Sequence, residues 1–233
     1  MKAILLAAGR GERMRPLTDH TPKPLLRVRG RALIEWHLDA LARGGVREVV
    51  INTAWLEQQI VAVLGDGARF GLTIRYSLEG RDHGGALETA GGLKKALPLL
   101  KLAGDAPFWY VAADVFAPGF AFDAGLTQRL VDPRRLGHLW LVPNPPQHPG
   151  GDFGLKGDLA TAGADGERFT WSGIALFRAG FVDELMHELP VGAPMRLRPY
   201  LDAAIAAGRL GAERWAGDWA DVGTPQRLAE LDT

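Results

Sequence analysis

The chain has 233 residues, 47% of them hydrophobic, and its 27 basic side chains balance 27 acidic ones. That length suits one α/β domain with an appendage, and zero net charge leaves no global field to attract nucleic acid or an anionic membrane. Cysteine is absent, which excludes disulfides, thiolate nucleophiles and cysteine-held zinc and fits a reducing cytosol.

The first apolar run, residues 3–8, is too short for a signal segment or a membrane span, and no later segment qualifies. A cytoplasmic protein is therefore expected. The run reads as a strand buried on both faces, as parallel sheets require. A glycine- and arginine-rich loop follows, residues 8–23. Leu33, Ile34, Leu38 and Leu41 then recur at helical spacing, and Gly44-Gly45 closes that helix. Residues 46–52 form a second strand. Leu56, Ile60, Val63 and Leu64 mark a second helix ended by Gly65, and residues 72–77 a third strand. Leu93, Leu97 and Leu100 give another helical stripe, with a buried strand at 108–112. This alternation predicts a doubly wound, mostly parallel sheet of the Rossmann-like α/β class.

The second half changes character. Residues 139–142 read as a strand, and the proline-rich "PNPPQHPGGDFGL" as a loop. Shorter, antiparallel strands are expected at 154–160 and 169–177, helices at 181–189 and 199–207, then a strand, a loop and a closing helix. With no repeat, low-complexity tract or linker, one domain spanning residues 1–233 is expected.

Ligands of open α/β sheets collect at the carboxyl ends of strands, so the 8–23 loop is where one is expected. Gly9 and Gly11 let backbone N–H groups approach a phosphate, while Arg10, Arg13, Arg15 and Lys23 supply charge. No P-loop is present, and the dinucleotide fingerprint fails because position 14 is Met. The full string "LAAGRGERMRPLTDHTPKPL" resembles the signature of the sugar-1-phosphate nucleotidyltransferases, which have a GT-A-like fold. That resemblance implies that the loop wraps the triphosphate of an incoming NTP. Leu6, Ala7, Ala8, Gly9 and Gly11 would bind nucleotide, and Arg13 and Lys23 would be catalytic. Fixed cations there stabilise the charge that spreads over phosphate oxygens in the transition state. Pro22 and Pro24 stiffen the backbone around Lys23. The division implied is a nucleotide-binding part at about 1–115 and a smaller antiparallel sugar-binding part at about 116–233.

Chemistry on an NTP commonly uses Mg²⁺ held by one or two carboxylates. Asp114 follows an apolar strand, and Asp221 lies in "WADVGT", which is similar to the family's W-x-D-x-G-T element. The resemblance implies that this distant pair holds the metal. One departure is Ala112-Ala113 where the family commonly has Asn-Gly. "ALETAGGLKKA" resembles the family's base-reading loop and helix, making Glu88, Gly91 and Gly92 nucleotide candidates, with Thr89 as a helix cap. The preceding "EGRDHGG" is longer than that loop usually is.

"NPPQHPGGDF" with "WSGI" is similar to a subgroup that uridylylates N-acetylmuramate 1-phosphate, and implies sugar contacts from Asn144, Asp152 and Gly173. Lys156, Arg196 and Arg198 are the cations available for a muramyl carboxylate. The reaction needs no general base, since the attacking phosphate oxygen is already anionic. UTP and N-acetylmuramate 1-phosphate, in cell-wall sugar recycling, are the leading substrates. A mannose- or heptose-1-phosphate guanylyltransferase, a phosphocholine cytidylyltransferase and a non-catalytic nucleotide-sugar-binding subunit stay open. So does the choice between monomer and homodimer.

Overall fold

The computed structural model describes residues 1–163 and 166–232. The chain begins with β1 (Lys2–Leu6), a single turn α1 (Leu17–His20), and a small ribbon of β2 (Arg27–Val28) and β3 (Arg31–Ala32). It continues through α2 (Leu33–Arg43), β4 (Glu48–Thr53), α3 (Glu57–Leu64), β5 (Thr73–Leu78), α4 (Glu79–His83), α5 (Glu88–Ala96) and β6 (Pro107–Ala112). Then come β7 (Val115–Phe116), β8 (Gly137–Val142), β9 (Phe153–Lys156), β10 (Leu159–Thr161) and β11 (Arg168–Arg178). The tail holds α6 (Ala179–Leu185), α7 (Arg198–Ala206), β12 (Leu210–Arg214), β13 (Ala220–Asp221) and α8 (Pro225–Glu230).

One nine-stranded sheet runs in the order β5-β4-β1-β6-β11-β8-β12-β10-β9. The first four strands are mutually parallel, as the apolar runs 3–6 and 108–111 require. β11 enters antiparallel between β6 and β8, and β9 and β10 extend the antiparallel part. Alternation along each strand feeds two cores. Ile4, Tyr110 and Phe177 face α5, α6 and α7, where Leu93, Phe181 and Leu201 meet them. Leu5, Trp109 and Leu176 face the other way, against Ile34, Leu38 and Leu41 of α2 and Ile60 of α3. Burying a side chain of this size contributes roughly 1.5–3 kcal/mol, so each strand is fixed from both sides.

Several boundaries differ from the sequence reading. Val63 is 48% exposed, because the buried face of α3 is formed by Glu57, Ile60 and Leu64. The strand expected at 154–160 is a hairpin, reversed at Gly157, whose φ of 62° belongs to the left-handed region. The stripe Leu93, Leu97, Leu100 passes from α5 into a 3₁₀ turn, Leu97–Leu100, where Pro98 ends the α-helical bonding. The helix expected at 181–189 starts earlier and ends at Leu185. Thr89 does not cap α5; its hydroxyl instead accepts from the Leu197 N–H at 3.1 Å. The "EGRDHGG" stretch is not a plain loop but α4, closed by Gly84.

Candidate active site

A cavity of about 480 Å³ opens over the carboxyl ends of β1 and β6. Leu6, Ala7 and Ala8 form its floor, the loop 9–14 one wall, and Ala86, Glu88 and Thr89 the other. The loop wall is a tight fold. Gly11 has φ 68°, and Met14 N–H donates back to its carbonyl at 2.9 Å. The Thr18 hydroxyl donates to the same carbonyl at 2.8 Å. A Cβ at Gly11 would stand 3.0 Å from Thr18 Cγ2 and 3.3 Å from Lys23 Cβ, so glycine lets Lys23 pass close beneath the loop.

Lys23 is buried, and its Nζ sits 2.8 Å from Asp114 Oδ2. Asp114 lies at the cavity floor with 45% of its side chain accessible. The dense surroundings desolvate its carboxyl, which by itself raises the pKa. The charge and hydrogen bond of Lys23, with help from a backbone hydrogen bond, outweigh that and hold it below the usual carboxylate range. Behind it, His37 Nε2 lies 2.8 Å from the Val115 carbonyl. Burial lowers the His37 pKa, against the opposing pull of that hydrogen bond and of Asp114. The ring is therefore neutral at pH 7 and donates to Val115.

Asp114 and Asp221 meet through a feature of only four residues. β7 pairs antiparallel with β13, with Asp221 in register with Val115. Val222 N–H also donates to the Asp114 carbonyl at 3.2 Å. Asp221 Oδ2 is held at 2.8 Å by Arg227 Nη1, at the start of α8. A small cluster of Met14, Leu26, Val28, Leu33, Phe116 and Val222 pins this ribbon to the N-terminal loop. Gly223 completes the junction: a Cβ there would lie 2.8 Å from Arg227 Nη1, 3.0 Å from Asp221 Oδ2 and 3.3 Å from Arg13 Nη2. Arg13 and the Asp221 carboxylate thus both approach Gly223; Arg13, Asp114 and Gly223 line the cavity, whereas Asp221 lies just behind that lining.

The four cations of the loop separate into two roles. Arg10 stacks on Trp55 at 3.7 Å and donates to the Thr18 carbonyl and Asp19. Arg15 is bound to the same Asp19 at 2.8 Å. Arg10, Arg13 and Lys23 line the cavity, and of these Arg10 has its guanidinium engaged within the loop.

Other candidates from the sequence lie one step back. Gly91 packs on the Ala193 carbonyl, and Gly92 on Asn52 and Glu79; any side chain would clash at 2.3–2.5 Å, and neither residue lines the cavity. Asn144 ties its own loop to β11, donating to Pro149 and Arg168 carbonyls and accepting from the Thr170 hydroxyl. Asp152 accepts from Trp171 N–H at 2.8 Å and contacts His148 Nε2 at 3.1 Å. Their side chains brace the 144–152 loop. Gly173 sits at a bulge of β11 with φ 79°, and a Cβ there would stand 2.9 Å from that of Ala112. Trp171, beside it, stacks on Tyr110 of the cavity wall at 5.3 Å. Of the three spare cations, Arg198 is engaged by Asp202 and Phe153. Lys156 and Arg196 are exposed, and the neighbours of Arg196 are tied to Leu87 and Thr89.

Asn52, Tyr110 and Gly223 also line the cavity and were not singled out by sequence; Thr89, expected only as a helix cap, lines it too. Asn52 had a readable signal, standing at the carboxyl end of the strand next to β1. Among the described residues, no group of three or more His, Cys, Asp or Glu side chains forms a metal cluster. Any ion here would be held by the aspartate pair together with ligand oxygens and water.

A sequence profile of the nucleotidyl transferase family matches residues 2–130. The N-acetylmuramate alpha-1-phosphate uridylyltransferase of Neisseria meningitidis serogroup B is 45% identical, over 99% of this chain and 96% of that protein. The enzyme of the same name from Caulobacter vibrioides is 32% identical, over 98% and 97%. A Bacillus anthracis structure described as a glucose-1-phosphate thymidylyltransferase in complex with a sucrose superposes with a TM-score of 0.81. It covers 100% of this chain and 94% of its own at 20% identity, a likeness of fold. With that profile on its N-terminal half and such relatives along its full length, the chain belongs to the nucleotidyl transferase family, among the sugar-1-phosphate nucleotidyltransferases.

Proposed function

We propose that the protein transfers a uridylyl group from UTP to N-acetylmuramate 1-phosphate, giving UDP-N-acetylmuramate and pyrophosphate. The observation that carries this is the meeting of Arg13, Lys23 and Asp114 in one cavity under a glycine-bearing loop, with the backbone of Asp221 in register beside Asp114. The full-length likeness to two relatives named for that reaction selects the substrates. In the reaction, an anionic oxygen of the sugar phosphate attacks the α-phosphorus, and the bond to the bridging β-oxygen breaks. No proton has to move, so the protein's task is alignment and charge neutralisation.

Backbone N–H groups of the 9–14 loop and the Arg13 guanidinium suit the β- and γ-phosphates, with Arg13 able to grip two oxygens. Lys23 Nζ, at the floor, meets the charge that grows on the transferring phosphate. The aspartate pair fits Mg²⁺ in its chemistry: both offer hard oxygen donors from neighbouring backbone positions, and Asp114 opens to the cavity where phosphate and water ligands would lie. When bound there, the ion would add charge neutralisation on the phosphate oxygens. Leu6, Ala7, Ala8 and Glu88 frame the base and ribose, and the sugar lies toward Gly173 and Trp171. The protein works in the cytoplasm, as a monomer or homodimer, and takes part in peptidoglycan recycling. No helix among the described residues is long and apolar enough to cross a membrane.

The test is pyrophosphate release across four NTPs, each paired with N-acetylmuramate, N-acetylglucosamine, glucose and mannose 1-phosphates. UTP with N-acetylmuramate 1-phosphate should give the highest kcat/KM. A higher value for GTP with mannose 1-phosphate would refute the substrate assignment, and no release with any pair would refute the activity.

A further inference from the structure

Behind the cavity wall lies a carboxylate that the reaction as drawn does not use. Glu79, the first residue of α4, is fully buried at 0% exposure, and Asn52 beside it is 1% exposed. Glu79 Oε1 accepts from Asn52 Nδ2 at 2.7 Å, and Oε2 accepts from Leu87 N–H at 2.8 Å. Asn52 Oδ1 in turn accepts from Ala7 N–H at 2.8 Å, a donor shared with the Asn52 main-chain carbonyl at 3.1 Å. The relay therefore runs from the cavity floor at Ala7, through two side chains, to the residue before Glu88 on the opposite wall. On its far side Leu87 is anchored again, its carbonyl accepting from Met195 N–H at 3.0 Å. Glu88 itself has φ 57°, a left-handed backbone that a non-glycine residue adopts only under constraint.

Resting on the nucleotidyl-transfer reading, we propose that Glu79 is a positioning residue for the nucleotide, its carboxylate setting the spacing between the Ala7 floor and the Leu87–Glu88 wall. Polarity makes the device specific. Main-chain N–H groups at both ends can only donate, so Asn52 must present its oxygen to Ala7 and its amide nitrogen to Glu79. Glu79 then accepts on both oxygens, the arrangement that suits a carboxylate. Burial raises its pKa overall, although the Leu87 and Asn52 hydrogen bonds and the charge of Lys95 pull it down. The nearest lysine, Lys95, spends its ammonium group on the Leu78 carbonyl and Asp82. Space is reserved for the pair as well. A Cβ on Gly92 would stand 2.5 Å from Asn52 Nδ2 and 2.7 Å from Glu79 Oε1, so a glycine in α5 lets this bond lie directly beneath the helix.

The same logic supplies the test. Glu79→Gln keeps the shape but forces one donor to face another, whichever way the amides turn. Asn52→Asp sets two carboxylates against each other. The double variant Asn52→Asp with Glu79→Gln reverses the central hydrogen bond and restores acceptors at both ends. Calorimetric binding of UTP should weaken at least about tenfold (about 1.4 kcal/mol) in each single variant. It should return to within about threefold of wild type in the double variant, with KM for the sugar phosphate unchanged throughout. Single variants that bind UTP as wild type does overturn the assignment, and so does a double variant no better than the singles. Should either single variant fail to fold, the double variant decides alone, because only a polarity-locked relay predicts that it folds and binds. Wild-type protein that binds none of the four NTPs overturns the functional reading, and the positioning role with it.

Discussion

Replacing Lys23 by Met removes one positive charge and little else. The side chain is 9% exposed, and its stem packs under Gly11, whose ideal Cβ position lies 3.3 Å from Lys23 Cβ and 3.6 Å from Cδ. Methionine fills that stem's space, so the packing survives. The ion pair with Asp114 is lost, but 45% of the Asp114 side chain is accessible in the cavity, and solvent screens such a pair. Folding should therefore lose about 1 kcal/mol, or about 2–4 °C of Tm for a chain of this size. Catalysis should lose far more. A fixed donor aimed at developing phosphate charge is worth ~3–4 kcal/mol, or about 10²–10³ in kcat. A coupled pyrophosphate assay with saturating UTP, run beside a thermal melt, separates the two effects. A variant that keeps kcat within about threefold of wild type, with its Tm barely moved, would remove Lys23 from the chemistry.

Other perturbations give distinct readouts. Gly11→Ala places a Cβ on a left-handed backbone, 3.0 Å from Thr18 Cγ2; it should cost ~1–2 kcal/mol of stability and lower kcat/KM, read by chemical melts and initial rates. Asp221→Asn should raise the Mg²⁺ concentration for half-maximal rate by about tenfold or more, and an unchanged titration curve would separate Asp221 from the metal. His138 is buried, its Nε2 without a hydrogen bond and 3.9 Å from Glu213 Oε2, and burial lowers its pKa against the pull of that carboxylate. Its unfolded form binds a proton first, so stability is fully present above about pH 6.5 and falls as pH drops toward the lower folded pKa. His138→Leu should raise Tm at about pH 5 more than at about pH 7, and equal shifts at both would contradict this account.

How far the sequence speaks for itself depends on the range of the interaction involved. Strands 3–6 and 108–111 were legible because a parallel sheet demands residues apolar on both faces. The loop carrying Arg13 and Lys23 was legible because glycines, arginines and prolines crowd a strand's carboxyl end. The meeting of Asp114 and Asp221 was legible through resemblance alone, since two-residue strands have no periodicity and their pairing depends on the cluster around Met14 and Phe116. Gly91 and Gly92 looked like an open approach to the base, whereas a glycine serves equally well for close packing of helix on carbonyl or amide, as both do here. Asn144 and Asp152 show the same ambiguity: a polar side chain in a loop can serve a ligand or its own loop, and here their hydrogen bonds run to nearby backbone and to the Thr170 and His148 side chains. Glu79 gave no signal at all, because a lone acid in a polar stretch looks solvated until tertiary contacts bury it.

Each acidic side chain at the ribbon arrives with its own resident counterion, Lys23 for one and Arg227 for the other. Two neighbouring negative charges are thereby neutralised locally, so the open cleft does not rebuff a polyanion approaching it. Loading a triphosphate becomes an exchange of partners, in which the lysine can turn from carboxylate to phosphate over a short distance. Cleft entry should consequently depend less on ionic strength than bare carboxylates in the same place would make it.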